Sequence, residues 1–138
     1  MIVLDTNVVS EAMRPAPDER VLRWLNAQSA EALFLTSVTL AELYFGVAAM
    51  PAGQRKTRLT AFVDELLQSQ EHRALPFDLA AARHHAELAL RARKSGPGLP
   101  VPNGYIAAIA ASHGFAVATR DTTPFEAAGL PVIDPWAA

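Results

Sequence analysis

Cysteine is missing from the 138 residues of this chain. Its absence excludes disulfides and thiolate-bound metal, and it fits a reducing compartment. Long apolar runs are missing too. A membrane-spanning helix needs roughly 18 or more apolar residues in succession, and no segment approaches that length. The opening run Met1-Ile2-Val3-Leu4 is too short for a secretory leader and Asp5 falls where such a leader carries positive charge, so no leader is expected and the chain is read as cytoplasmic. Lysine is scarce, with only Lys56 and Lys94. A phospho-receiver domain, which relies on a late lysine beside an acidic pair, is therefore a weak reading. Gly96-Pro97-Gly98 lacks the Lys-Ser/Thr that completes a phosphate-binding loop. Excess positive charge is also absent. The formal net charge is -2, which argues against a nucleic-acid binder that works through bulk charge. His84 and His85 are neighbours and point to different sides of a helix, while His72 and His113 have no partner at ligand spacing. Ser10, Ser37 and Ser112 sit in no visible arrangement with histidine and acid, so nucleophilic catalysis has no support.

What is present describes a folded α/β chain. Hydrophobic residues make up 51% and charged residues 19%, a balance that excludes disorder. The length suits one domain over residues 1–138, burying roughly two-thirds of its unfolded surface. Short apolar runs predict strands at 2–4, 33–36, 74–77, 115–119 and 132–133. Asp18 caps a helix whose inner face is Val21, Trp24, Leu25 and Gln28. A second helix starts at Ser37 or Thr39 and runs to about Ala49, where Pro51 and Gly53 stop it. Residues 54–70 form an amphipathic helix with the stripe Leu59, Phe62, Val63, Leu66 and Leu67. Asp78 caps a helix to about Lys94 with Leu79, Ala82, Ala86 and Leu90 on one side. Residues 95–102 hold three prolines and two glycines and read as a loop. Asn103 starts a helix that ends at Gly114, and a helical turn follows at 123–128. Strands without alternation, separated by helices, imply a parallel sheet covered on both faces. The expected fold is a three-layer α/β/α sandwich with a mostly parallel central sheet.

Three carboxylates fall near strand ends or helix starts. Asp5 follows the first strand, Glu42 follows the second, and Asp121 follows Ala116-Val117-Ala118-Thr119-Arg120. Ligands of such sheets bind beyond the carboxyl ends of the strands. Acids gathered there repel one another unless a cation lies between them, and oxygen ligands suit a divalent ion. Each residue also has a plainer reading. Asp5 and Asn103 suit helix caps, Thr39-x-x-Glu42 fits a capping box, and Asp121-Thr-Thr-Pro fits a turn. The positions taken together favour the ligand reading for the three acids. Ten of the twelve basic residues are arginine, clustered at Arg14, Arg20 and Arg23, at Arg55, Lys56 and Arg58, and at Arg91, Arg93 and Lys94. Arginine grips phosphate with two hydrogen bonds at once. Taken singly, each cluster reads as a solvated helix face.

The segment Leu4-Asp5-Thr6-Asn7-Val8-Val9-Ser10-Glu11 resembles the opening of PIN-domain ribonucleases, most closely the VapC and FitB-like toxins of bacterial toxin–antitoxin pairs. Thr39-Leu40-Ala41-Glu42-Leu43-Tyr44-Phe45-Gly46 resembles their second motif. Gly104-Tyr105-Ile106-Ala107-Ala108-Ile109-Ala110 and Thr119-Arg120-Asp121-Thr122-Thr123-Pro124-Phe125 resemble the third and fourth. The resemblance implies an acidic pocket of Asp5, Glu42 and Asp121 that holds Mg²⁺ or Mn²⁺, with Thr6, Asn7 and Thr119 in support. It implies RNA as substrate, a cognate antitoxin protein as partner, and a homodimer. It also implies a fourth acid where this chain has Asn103. A neutral carbonyl oxygen still binds a hard cation, but it cannot act as a base and should weaken the site. Three accounts compete for Asn103: an inactivating substitution introduced so that a toxic enzyme can be produced, a natural change that leaves antitoxin binding alone, or one-metal chemistry for which Asn suffices. The rival from another class is a non-catalytic PIN-like module that binds an antitoxin without cutting RNA. A phosphatase of the haloacid dehalogenase type is a weaker rival, because Asn7 stands where it needs a second Asp.

Overall fold

Helices cover both faces of the sheet, and the strands show it by having no polar alternation. A computed structural model describes residues 1–138. The strands are β1 (Ile2–Leu4), β2 (Leu33–Phe34), β3 (Ala116–Ala118) and β4 (Val132–Ile133). All pairs are parallel, in the order β2-β1-β3-β4. Val3 pairs with Val117 and Leu4 with Ala118. Successive side chains point to opposite faces. Val3 and Val117 join one apolar core, Leu4 and Ala118 the other.

Seven α-helices cover the two faces: α1 (Thr6–Ala12), α2 (Glu19–Ala27), α3 (Ser37–Ala48), α4 (Gln54–Ser69), α5 (Leu79–Ser95), α6 (Val101–His113) and α7 (Thr122–Ala127). The core holding Val3 draws Ala81, Leu88 and Ala92 from α5, Ile106 to Ala110 from α6, and Phe125 from α7. The opposite core draws Val8 and Val9 from α1, Val21 from α2, Leu40, Leu43 and Val47 from α3, and Val63 from α4. The expected α/β/α sandwich is therefore the fold. No helix is long and apolar enough to cross a membrane.

Local chemistry sets most boundaries. Asp18 accepts the Arg20 N–H at the start of α2, and Asp78 accepts the Ala81 N–H at the start of α5. Gly114 ends α6 in the left-handed region (φ +71°), which glycine enters without steric cost.

Several expectations are corrected. Residues 6–12, given no helix from sequence, form α1. Residues 74–77 are not a strand. Leu75 makes one bridge to Thr36, and Pro76, lacking an N–H, ends the pairing. The second strand stops at Phe34, short of the expected Thr36. Helix α6 begins at Val101, two residues before Asn103, because Pro102 suits a first helical turn. The inner face of α5 is Ala81, Leu88 and Ala92; Leu79 is 71% exposed and Leu90 52%. Phe62 lies exposed on α4, while Val63 fills the core.

Candidate active site

The strand order fixes where a site can form. From β1 the chain crosses to β2 on one side, and it later returns to β3 on the other. Beyond β1 and β3 the connections diverge and leave a crevice. Asp5 stands at the end of β1, and Thr119, Arg120 and Asp121 follow β3. Glu42 reaches the crevice from the second turn of α3, and Asn103 from the first turn of α6.

These side chains line one cavity of about 660 Å³, together with Thr6, Asn7, Ser10, Glu11, Arg14, Arg55, Arg120 and Trp136. Four carboxylates and three guanidinium groups thus share it. Asp5, Glu42, Asn103, Asp121, Thr6 and Asn7 all stand at this cavity and Thr119 braces it, whereas of the basic clusters only Arg14 and Arg55 reach it. Thr119 is the brace: it is fully buried, and its hydroxyl donates to Asp5 Oδ2 at 2.8 Å. The Thr119 hydroxyl oxygen in turn accepts the Asp121 N–H at 3.0 Å and Asn7 Nδ2 at 3.2 Å. One hydroxyl therefore ties β1, α1 and the turn after β3. Asp5 Oδ1 accepts the Thr6 N–H at 2.8 Å, so Asp5 also caps α1. The Thr6 hydroxyl donates to Glu42 Oε1 at 2.6 Å and pairs with the Thr39 hydroxyl at 3.1 Å. Glu42 is not half of a capping box with Thr39. The cap of α3 is Thr36, whose hydroxyl accepts the Thr39 N–H.

Electrostatics mark Asp5 as the acid under most stress. Burial pushes its carboxyl above the ordinary carboxylate range, and the charges of Glu42 and Asp121 add to that push. Hydrogen bonds from Thr119 and Thr6 act the other way. Asn103 Nδ2 donates to Asp121 Oδ2 at 3.2 Å, so the amide supplies Asp121 with a donor where a fourth acid would repel it. The carboxylates do not close into a finished cage: no group of three His, Cys, Asp or Glu side chains stands ready to hold a metal ion. The donor set is nonetheless all oxygen. Glu42 Oε2 and Asp121 Oδ1 accept no hydrogen bond from the protein. Such a set fits a hard cation that keeps much of its water and binds through one or two carboxylates plus substrate phosphate.

Glu11 is the residue that the reading of single positions missed. It is 6% exposed, accepts the Asp18 N–H at 3.0 Å, and meets Arg14 Nη1 at 3.3 Å. The signal was spacing. Once α1 is recognised, Asn7, Ser10, Glu11 and Arg14 fall three and four residues apart on one face.

Residues 2–130 match the model of the PIN domain. The chain belongs to the PIN-domain family. This PIN domain is 54% identical over 137 residues to the VapC ribonuclease Y4jK of Sinorhizobium fredii, covering 99% of this chain and 98% of that one. It is 42% identical over 137 residues to Toxin FitB of Neisseria gonorrhoeae, covering 99% of each chain. Among solved structures, it superposes on FitAcB from Neisseria gonorrhoeae with TM-score 0.94 at 42% identity, covering all of both chains. DNA-bound VapBC from Salmonella typhimurium follows at TM-score 0.80 and 25% identity, with 97% of each chain covered.

Proposed function

We propose that this PIN domain is a divalent-cation-dependent endoribonuclease and the toxin of a toxin–antitoxin pair. The observation that carries the reading is the convergence of Asp5, Glu42 and Asp121 from three distant segments on the crevice beside β1 and β3. In this reading Asp5, Glu42, Asp121 and the amide oxygen of Asn103 hold Mg²⁺ or Mn²⁺. Such an ion, when bound, offsets charge on a phosphate and makes a water more acidic. The side chains supply the rest. Thr119 and Thr6 fix the Asp5 and Glu42 carboxylates, so little reorganisation remains when substrate arrives. Glu42 Oε2 and Asp121 Oδ1, free of protein donors, orient a water and accept its proton as its oxygen attacks phosphorus. A P–O ester bond of the RNA then breaks, and its leaving oxygen takes up a proton. Arg14, Arg55 and Arg120 at the rim hold flanking phosphates without reading sequence.

Relatives described as FitAB and VapBC assemblies support a cognate antitoxin as partner. This reading adds a second copy of this chain in a homodimer. The surface for that copy is the apolar strip over α3 and α6, where Phe45 is 76% exposed and Val101 61%. RNA as substrate fits action in the cytoplasm.

A second reading has one observation in its favour. The Asn103–Asp121 hydrogen bond satisfies Asp121 without a cation, as a non-catalytic antitoxin-binding module would require. One experiment separates the two. RNA cleavage is measured for the chain as it stands, for Asn103→Asp and for Glu42→Gln, with Mg²⁺ or Mn²⁺ and with EDTA. The nuclease reading expects cation-dependent cleavage that rises in Asn103→Asp and vanishes in Glu42→Gln. No cleavage by any form, with no Mn²⁺ binding at millimolar concentration, would establish the module instead.

A further inference from the structure

Beside the acidic pit lies a second hollow of about 200 Å³ between α1, α3 and α4. Thr6, Ser10, Arg14, Glu42 and Arg55 line both, so the two hollows share a wall. The character changes across that boundary. Beyond Glu42 the walls are Met13, Leu43, Val47, Met50 and Leu59.

We infer that this hollow is a subsite for one nucleobase of the RNA, next to the bond that is cut, with the phosphate of that nucleotide held between Arg14 and Arg55. The inference rests on the nuclease reading and adds base preference to it. Size comes first. A cavity of roughly 150 Å³ accommodates a benzene-sized ring, so 200 Å³ admits one planar base and little more. Chemistry agrees with size. Methionine thioethers make favourable contacts with aromatic rings, and Met13 and Met50 both reach the wall. Charge then chooses between occupants. Arg55 has no carboxylate partner, and Arg14 keeps one at 3.3 Å while remaining 63% exposed. A purely apolar protein side chain would leave both exposed guanidinium groups at the mouth to water alone. A nucleotide answers them with its phosphate and fills the hollow with its ring.

Gly46 supplies an independent observation. It sits inside α3, where glycine destabilises a helix relative to alanine. Its backbone needs no positive φ, and a Cβ built there would meet nothing within 4 Å. Neither helix geometry nor packing therefore requires glycine at this position. Gly46 is exposed and lines the hollow without a side chain, which leaves that edge of it open.

The test uses the whole chain and fluorescently labelled eight-nucleotide oligomers of rU, rC and rA. Binding is followed by anisotropy in Ca²⁺, over a range of salt. The unaltered protein should bind one oligomer at least fivefold more tightly than another. Gly46→Leu, which puts a side chain at the edge of the hollow and improves helix propensity, should bring the three affinities within twofold of each other. Met50→Trp fills the same space from another wall and should do likewise. Arg55→Ala should weaken all three alike and lower the slope of log affinity against log salt by about one. If the unaltered protein does not discriminate, or if Gly46→Leu and Met50→Trp keep its ranking, the inference falls and the hollow is left to a protein segment. Mn²⁺ titration of the same samples reports on the pit separately. Loss of discrimination with Mn²⁺ binding intact supports the subsite. Failure of every form to bind Mn²⁺ counts against the nuclease reading itself.

Discussion

Replacing Asn103 by Asp changes the pit by one charge at a known place. The amide nitrogen of Asn103 now stands 3.2 Å from Asp121 Oδ2. Two negative charges at that separation repel by about 5 kcal/mol at an effective dielectric of 20, and by about 1 kcal/mol in bulk water. Asp121 is exposed and Asn103 half-buried, which favours the watery end of that range. A cost of about 1 to 3 kcal/mol is expected without cation. For a domain of this size that lowers Tm by about 3 to 9 °C in EDTA. With a divalent ion in the pit the sign reverses, since the same charge now attracts. An equal 1 to 3 kcal/mol raises affinity for Mn²⁺ by about fivefold to 150-fold. At about 100 times Kd, a bound ion adds about 2.7 kcal/mol of stability. Asn103→Asp should therefore melt below the unaltered chain in EDTA and at or above it in Mn²⁺. Differential scanning calorimetry and isothermal titration supply both numbers. An unchanged Tm in EDTA, together with a gain in Mn²⁺ affinity below threefold, would refute the claim that position 103 contributes to a common negative field.

Thr119→Val keeps shape but removes the hydroxyl that serves Asp5, Asp121 and Asn7, so a loss of about 2 to 4 kcal/mol is expected by urea denaturation; a loss under 0.5 kcal/mol would show the hub to be unimportant. Thr36→Ala removes the cap of α3 and should cost about 1 to 2 kcal/mol in the same assay. Gly129→Ala should cost about 1 to 3 kcal/mol, because φ is +88° and the new Cβ would run into Arg91 Nη1. Adding Arg91→Ala should recover only the steric part, leaving the backbone part to a double-mutant cycle. The acid range yields two opposite slopes. The Asp5 pKa is raised in the folded state, so the folded chain holds that proton more firmly than the unfolded one. In EDTA this contribution favours folding increasingly as pH falls from neutral through the raised value, down to the ordinary value of 3.8. Asp18 is lowered to about 2 by Arg20, so its contribution is present above 3.8 and is lost as pH falls toward 2. Asp5→Ala should flatten the first slope and leave the second, which thermal melts across pH will reveal.

The acids were legible because each follows a run that cannot be solvated. Four apolar residues and then Asp5 leave little choice but a buried strand ending at a crevice. What escaped was set by packing. Helix α1 holds Thr6, Val8 and Val9, whose β-branched side chains disfavour helix, and it forms because Asp5 caps it and both valines are buried. Size misled on α5, where Leu79 and Leu90 look like a core face. Ala81 and Ala92 face inward because α6 offers Ala107, Ala108 and Ala110, and small residues on both helices let them approach closely. Thr39 looked like a cap, but its hydroxyl is spent on Thr6, and Thr36 takes the role. The immediate neighbours of Glu42 suggest a capping box, whereas the structure sets it at one cavity with Asp5 and Asp121.

The same hydrogen bonds oppose the upward push that burial gives the Asp5 carboxyl. A lone buried carboxylate would shed its charge by taking a proton. Thr119 and the Thr6 N–H oppose that by donating to both of its oxygens. Glu42 and Asp121 then add repulsion that no fold would need for its own stability. A structural role for the three acids predicts that neutralising any of them without removing hydrogen bonds leaves the chain no more stable than before. A functional role predicts the reverse in EDTA, since protein regions that act on ligands are commonly less stable than they could be. Glu42→Gln is the clean case, because its one protein hydrogen bond, from Thr6 to Oε1, survives in the amide. The stabilised variant should then be the one that has lost its affinity for Mn²⁺.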